Sequence, residues 1–446
     1  MFKKFLTLVL AFVMLSTAAI AAPQTVQASE KVNRTITVLS DFGIIDLTKE
    51  NPDAPVTRGE MITLIAHVLN CGEIPAATKA CVFTDVTDAS LVNAVMWAYD
   101  QKIVMGTGET TFNPNANITM QHAYYMVLRA MGYTKFSSVD IYAIDKNLKE
   151  KKLDDAVTYS DAATLLYNML SCPSSGNVML MEKLYGKKEL KVATFNSKCT
   201  YSEAEDGINF FFHRIGLFVD KINKENPDVI CFQEIFNAKA VDFMTKNLPG
   251  YEFVGPGTKM NNSKQTGVYI AVKKDTCDVL GWESLYLSDE PYTPDSRFEG
   301  QSHNPRICVQ TLIRHKASKK MIRVFNTHLD HASKDARVKG MDVVLKFMDS
   351  FKEKGGYPIM LMGDFNALPT EETIVNCKQY EGITEVSENI GGTYHAFGTI
   401  TDRHIDYMFM SDELAKIAGN AEIWPDVKSG IYMSDHHPVC SQVWFE

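Results

Sequence analysis

From Leu190 to Phe445, short apolar runs rich in β-branched residues recur, with longer polar or amphipathic stretches between them. They are Leu190–Phe195, Val229–Phe232, Val268–Val272, Ile307–Ile313, Met321–Phe325, Ile359–Met362, Ile405–Met410 and Val439–Phe445. Runs this short, bounded by turn residues, predict strands. One stretch between them carries Met341, Val344, Leu345 and Met348 on a single face, the spacing of a helix. Strands alternating with helices specify an α/β fold in which sheets are covered by helices.

Residues from about 35 to 170 follow a different grammar, one of helices and turns. The segment Asn51-Pro52-Asp53-Ala54-Pro55-Val56-Thr57 recurs as Asn113-Pro114-Asn115-Ala116-Asn117-Ile118-Thr119. After Thr57 come Met61, Leu64, Ile65 and Val68, the face of a buried helix. Thr57-Arg58-Gly59-Glu60 reads as a capping box that starts it. A weaker third copy runs from Asp155 to Asp161 and continues with Ala163, Leu165 and Leu166. Repeats of this kind pack together because one alone cannot bury its face. Cys172-Pro173-Ser174-Ser175-Gly176 begins a link, which places a domain boundary near 185.

The first residues predict export. Lys3 and Lys4 precede an apolar run from Phe5 to Leu15, small residues follow to Ala22, and cleavage sites suggest themselves after Ala21 and Ala28. Removal of residues 1–28 leaves no further stretch able to cross a membrane, and so no transmembrane anchor. Nine cysteines are an odd number, so at least one stays free in an exported chain; Cys71 and Cys81 are close enough in sequence to bridge. The net charge of -9 gives no global basic field to attract nucleic acid, although chemistry on a phosphate needs only local charge.

Polar residues gather at the ends of the predicted strands, where α/β proteins build sites. Asn196 ends the first and Glu234 the second; His328 follows the Arg323–Thr327 run, and Asp364 and Asn366 follow Pro358–Met362. Asp406 lies in His404-Ile405-Asp406-Tyr407, and Asp435 and His436 precede the last strand. Any one of these has an ordinary explanation as a helix cap or a turn. Together they offer what hydrolysis at phosphorus needs. Glu234, Asp435 and the Asn196 amide supply oxygen ligands for a hard cation, and a histidine paired with a carboxylate supplies proton transfer.

These motifs resemble the endonuclease/exonuclease/phosphatase superfamily, in order and over about Lys188–Glu446: the Asn strand end, Gln233-Glu234, Asn326-Thr327-His328-Leu329-Asp330, Gly363-Asp364-Phe365-Asn366, Ile405-Asp406-Tyr407 and Ser434-Asp435-His436-His437-Pro438. The resemblance implies two packed mixed β-sheets flanked by helices, a four-layer α/β sandwich, with a separate small all-α repeat domain before it. It implies Mg²⁺ or Mn²⁺ held by Glu234, with Asn196 and Asp435 as further ligands. His328 and Asn366 would hold phosphate oxygens, and Asp364 would orient water or protonate the leaving oxygen. His436 would be base or transition-state stabiliser, held by Asp406 or Asp435. Arg306 and His395 would contact substrate.

The repeat region resembles the S-layer homology repeat, most clearly in Phe83-Thr84-Asp85-Val86, Trp97-Ala98, Ile103-Val104-Met105-Gly106, Phe112-Asn113-Pro114 and Ile118-Thr119. That family binds anionic cell-wall polymers, with a basic residue after the capping Thr; Arg58 is that residue in the first copy, whereas Met120 and Tyr159 stand there in the others. The expected layout is therefore a signal peptide (1–28), wall-binding helical repeats (29–172), a linker (173–187) and a catalytic domain (188–446). The expected protein is a secreted, wall-associated phosphoesterase acting on a lipid head group, a sugar phosphate or a nucleic acid. An extracellular nuclease and a non-catalytic surface-binding protein are the alternatives.

Overall fold

The structure, a computed structural model, describes Asn33–Glu446 except residues 136–143, 149–150, 200–206, 237, 257–266, 353–355, 425–426 and 429. The expected signal peptide lies outside the described residues.

The repeats form helices α1 (Arg34–Asp41), α2 (Arg58–Leu69), α3 (Ala89–Asp100), α4 (Met120–Ala130) and α5 (Tyr159–Ser171). Thr57 caps α2 in a full capping box with Glu60, and Thr158 does the same for α5 with Asp161. The segments before α2, α4 and α5 meet in a closed triangle of backbone bonds. Val56 N donates to Val157 O (2.8 Å), Val157 N to Ile118 O (3.0 Å) and Ile118 N to Val56 O (3.0 Å). Each segment thus satisfies buried polar backbone that its own copy leaves unpaired. The reason for threefold repetition is closure as much as stacking.

A short helix α6 (Leu180–Tyr185) lies within the segment expected as linker, and the α/β part follows. Its strands are β1 (Lys188–Cys199), β2 (Val229–Ile235), β3 (Tyr251–Val254), β4 (Tyr269–Lys273), β5 (Cys277–Tyr286), β6 (Ile307–His315), β7 (Met321–His328), β8 (Ile359–Asp364), β9 (Ile383–Glu385), β10 (Asp406–Ser411), β11 (Glu422–Ile423), β12 (Val427–Lys428), β13 (Ile431–Tyr432) and β14 (Val439–Phe445). Among the described residues two six-stranded mixed sheets form, in the orders β11-β14-β1-β2-β4-β3 and β5-β6-β7-β8-β10-β9. The β1–β2 and β7–β8 pairs are parallel; the other neighbours in both sheets run antiparallel.

Alternation assigns each side chain to a face. Leu190 and Val192, Val229 and Cys231, Ile322 and Val324, Met360 and Met362, and Met408 and Met410 fill the core between the sheets. The intervening residues face outward. Phe195, Ile230 and Phe232 pack on α7 (Phe211–Glu225) and α8 (Ala238–Asn247). Phe325, Leu361 and Phe409 pack on α9 (Lys334–Lys352) and α10 (Glu372–Gln379). This is the four-layer sandwich. A last helix, α11 (Asp412–Lys416), follows β10. Sequence periodicity missed β3, β5, β9 and the two-residue strands β11, β12 and β13. The β5 strand is an edge strand with a register shift at Gly281 and exposed Leu280 and Trp282, so its apolar alternation is broken.

The repeats and the sandwich share core. Asn33–Glu446 is one compact unit, and Trp444 turns from β14 into the helical core. Its Nε1 donates to the Tyr167 hydroxyl (2.8 Å). Gly419 leaves that hydroxyl its space, since a Cβ there would stand 2.2 Å from it. Arg34 donates to the carbonyls of Glu385 (2.6 Å) and Ala415 (3.1 Å), and Lys146 pairs with Glu422 (3.0 Å). Cys71 and Cys81 are not joined to each other, so the bridge that they allowed is not formed. No helix of the described residues is long and apolar enough to cross a membrane.

A buried indole N–H left without its acceptor costs about 1–3 kcal/mol. Tyr167→Phe should therefore lower unfolding free energy by that amount in a urea titration. Fluorescence and far-UV circular dichroism should report a single transition for both parts; two separated transitions would show that the shared core does not couple them.

Candidate active site

The inner-face rows that fill the core continue into polar residues at the strand ends. Val192 leads to Thr194 and Asn196, Cys231 to Gln233, Val324 to Asn326 and His328, Met362 to Asp364, and Asp406 precedes Met408. With a period of two, each of these side chains must point between the sheets. The site is the polar end of the inter-sheet core.

Its middle is Asp364 Oδ2. Asn196 Nδ2 donates to that oxygen at 2.8 Å, His328 Nε2 lies at 3.5 Å and His436 Nε2 at 3.8 Å. The other carboxylate oxygen accepts from the backbone N–H of Asn366 (2.9 Å). Asn366 Nδ2 stands 3.0 Å from His328 Nε2 and donates to Leu329 O. His436 Nδ1 is bonded to Asp406 at 2.8 Å, whereas Asp435 lies 4.0 Å from Nε2. Of the two aspartates considered for holding the imidazole, Asp406 is the one hydrogen-bonded to it. The hydroxyl of Thr393 accepts the backbone N–H groups of Ile405 and Asp406, both at 3.0 Å, which fixes where Asp406 can point.

Burial opposes charge on His436, but Asp406, its hydrogen bond, and then Asp364 and Asp435 outweigh it and push its pKa up to about 10. The direction of the shift favours the imidazolium form. Burial and the neighbouring Asp406 raise Asp364 to about 7 against the pull of His436 and Asn196. His328 is driven well below its ordinary value by burial and by Arg306 and His436, so it stays neutral. Its Nδ1 is buried with no hydrogen-bond partner.

Glu234 is half-buried, in left-handed backbone (φ 59°), and accepts from Asn196 Nδ2 at 3.2 Å. Asn196 thus turns its amide nitrogen to both carboxylates, while its Oδ1 accepts from Lys198 N (3.0 Å). Asp435 pairs with Lys198 Nζ at 3.8 Å. Arg306 is buried beside Asp330 (3.7 Å) and His331 (3.0 Å), close enough to Glu234 and Asp364 to feel their charge. The ring of His395 lies against His437 (4.0 Å) and Tyr432 (4.7 Å), and its backbone N–H donates to Asp435 O (2.9 Å).

The carboxylates Glu234, Asp364, Asp406 and Asp435 make an oxygen-rich donor set, which fits a hard divalent cation. Asp364, Asp406 and His436 also bring one ligand atom each within 4.8 Å of one another.

Sequence reasoning quoted Gln233 and Asn326 only as parts of motifs. Gln233 Nε2 donates to Asn326 Oδ1 (2.7 Å), and Asn326 Nδ2 donates to Phe232 O (2.9 Å) and Tyr269 O (2.8 Å). These bonds tie one sheet to the other beneath the site. The inner-face phase was the signal that could have found them.

Residues 207–436 match the sequence model of the Endonuclease/Exonuclease/phosphatase family. The chain belongs to that family. Residues 82–120, the middle repeat, match the S-layer homology domain. Nocturnin of Drosophila melanogaster is 28% identical over 179 residues, 37% of this chain and 26% of that protein. A cell surface protein of Thermoanaerobacter kivui is 32% identical over 84 residues, 18% of this chain and 11% of that protein. Each of these matches therefore spans a minor part of the relative. Among solved structures, a family protein of Bacteroides vulgatus aligns with TM-score 0.52 and 22% identity, covering 58% of this chain and all (100%) of that one. A mannosyl-6-phosphatase of Bacteroides thetaiotaomicron aligns with TM-score 0.50 and 23% identity, covering 56% and 98%. Both likenesses are of fold. The molecule is thus an endonuclease/exonuclease/phosphatase sandwich joined to an S-layer homology region, which points to the cell surface.

Gly363 tests how tightly the family site is built. Its φ is 151°, and a Cβ there would stand 2.0 Å from Thr327 O, in the β7–β8 pairing that sets His328 beside Asp364. Gly363→Ala should destabilise the chain by more than about 1 kcal/mol, measured by urea unfolding. An unchanged midpoint would mean that the strands have room to part.

Proposed function

We propose that this chain is an exported, wall-associated phosphoesterase that hydrolyses a phosphate mono- or diester by in-line attack of water, with Mg²⁺ or Mn²⁺ as cofactor. The observation that carries this reading is the convergence of Asn196, His328 and His436 on one oxygen of Asp364, with Asp406 behind His436. Glu234 holds the cation, with Asn196 and Asp435 beside it. When bound, the metal offsets charge on the phosphoryl oxygens.

The chain's own groups supply the rest. Asp364 orients the water and takes its proton as the new P–O bond forms; the ester P–O bond breaks and the leaving oxygen is protonated from solvent. The His436 imidazolium, held by Asp406, meets the negative charge that grows on phosphorus oxygens in the transition state. His328 and Asn366 hold those oxygens. Arg306 and His395 contact the substrate further out.

The substrate we favour is a small ester, such as a sugar phosphate or a phospholipid head group. From Lys187 onward the chain has about 30 Lys and Arg against about 36 Asp and Glu, a poor balance for a duplex binder. The mannosyl-6-phosphatase shares this fold and acts, by its name, on a phosphosugar. Glu234→Gln should lose metal affinity and most turnover in the full chain while its circular dichroism stays native. His436→Ala should lose about 10²–10⁴-fold, and His437→Ala far less. The assay compares phosphosugar, phospholipid and plasmid DNA, with and without EDTA. Full turnover by Glu234→Gln in EDTA would sink the metal reading, and fastest cleavage of DNA would make the protein an extracellular nuclease.

The repeats hold the enzyme on an anionic wall polymer through Arg58. Its guanidinium donates to Met105 O (2.8 Å), lies 4.6 Å over the Phe112 ring, and is near enough to Arg129 for the two charges to oppose each other. Two adjacent cations favour an anionic ligand. Arg58→Ala should cut retention on purified wall polymer in a sedimentation assay; unchanged retention would refute binding through this residue.

A further inference from the structure

Arg214, in the first turn of α7, has no exposed surface, and nothing above uses it. Its guanidinium donates to four backbone carbonyls: Lys198 (2.6 Å), Ser197 (3.3 Å), Asn209 and Met433. The rings of Phe397 and Phe211 lie at 5.5 and 5.6 Å.

Four of those contacts, to Ser197, Lys198, Met433 and Phe397, reach segments that carry the site. Ser197 and Lys198 follow Asn196 at the β1 irregularity, where pairing with β2 shifts register between Asn196 and Cys199. Lys198 takes left-handed backbone there (φ 47°). Met433 immediately precedes Ser434, Asp435 and His436. Phe397 ends the short segment that begins at His395, where Ala396 and Phe397 are both left-handed (φ 44° and 54°).

The sheet cannot hold these segments together. The β1–β14 ladder ends at Thr194↔Val439, so Asn196 and His436 lie beyond the last pair. Past that point the Ser434 hydroxyl donates to Asn196 O (2.7 Å) and Lys198 Nζ pairs with Asp435 (3.8 Å). A planar guanidinium has five donors in a fixed fork, which can serve several carbonyls at set directions; an ammonium on a flexible stem cannot.

We propose that Arg214 is a positioning residue for the phosphoesterase site: it clamps the Asn196–Lys198 segment to the Met433–His436 segment and so fixes His436 against Asp364. This rests on the reading of the site given above. A displacement of about 1 Å at such a site can cost on the order of 10²-fold in rate.

The test uses full-length Arg214→Lys and Arg214→Met. Each is assayed on p-nitrophenyl phosphate and bis(p-nitrophenyl) phosphate with Mg²⁺, well below its melting temperature by circular dichroism. The side-chain Nδ1–H resonance of His436 is followed by NMR in the same samples. We expect kcat to fall about 10–100-fold with KM nearly unchanged, Arg214→Lys to retain more than Arg214→Met, and the His436 resonance to move. A folded Arg214→Lys with wild-type kcat and an unmoved resonance would overturn the clamp, since a merely structural role lowers melting temperature alone. Should neither variant fold, Phe397→Leu removes only the ring beside the guanidinium; the same resonance must then move, and its constancy would count against the proposal. Wild-type protein inactive on both esters would overturn the reading of the site instead, and the resonance alone would still decide the clamp.

Discussion

Two buried amides hold the sheets in register, and the site depends on them. Asn326 of one sheet receives a hydrogen bond from Gln233 of the other and donates to the carbonyls of Phe232 and Tyr269. Asn196 repeats the device one layer further along, donating to Asp364 across the gap. An apolar core between two sheets tolerates sliding, because dispersion contacts have little direction. A buried amide does not, because a slip would leave its donors unpaired in a low dielectric at about 1–3 kcal/mol each. The Asp364 carboxylate sits on one sheet and two of its neighbours, Asn196 and His436, come from the other sheet's strands or their approach. Their separations are therefore set by the amide ties and not by the hydrophobic contacts around them.

Backbone strain collects at the same place. Lys198, Glu234, Asn366, Ala396 and Phe397 all take left-handed conformations without being glycine. Lys198 and Glu234 stand one residue before the ends of β1 and β2, Asn366 follows β8, and Ala396 and Phe397 lie in the turn Ala396–Gly398. Glu234 can take its conformation because Gly267 beside it has no Cβ; one there would approach the Glu234 Cα to 3.1 Å and the Phe236 ring to 2.8 Å. Such conformations cost about 1–3 kcal/mol apiece and persist where the surroundings over-determine them. The rigid sandwich is what can bear that cost.

The period-two rows made much of this legible in the sequence. Once Val192, Cys231, Val324 and Met362 are placed inside, Asn196, Gln233, Asn326 and Asp364 must point the same way, and their convergence follows. His436 and Asp435 were found by motif, since they precede β14 and no periodicity orients them. Contacts that depend on loops stayed hidden. Nothing in the string around Arg214 says that its side chain will end among the carbonyls of Ser197, Lys198 and Met433, residues far apart in sequence. The edge strand β5 was hidden for another reason: half-exposed, with Gly281 interrupting its alternation, it has the composition of a loop and becomes a strand only through pairing with β6.

The N-terminal repeats share core with the sandwich, where a flexible tether would also have joined the two. Three copies closed through the Val56–Ile118–Val157 triangle have no free repeat face at either end of a row to extend or cap. One side of α1 and α5 is covered by Trp444 and by the carbonyls of Glu385 and Ala415. Burying that side against β14, the partner of β1, places the helical part behind the same strand pair whose far ends carry Asn196 and approach His436. Beyond the ladder, the strand ends are joined by Ser434 to Asn196 O and by Arg214 to the carbonyls of Ser197, Lys198 and Met433.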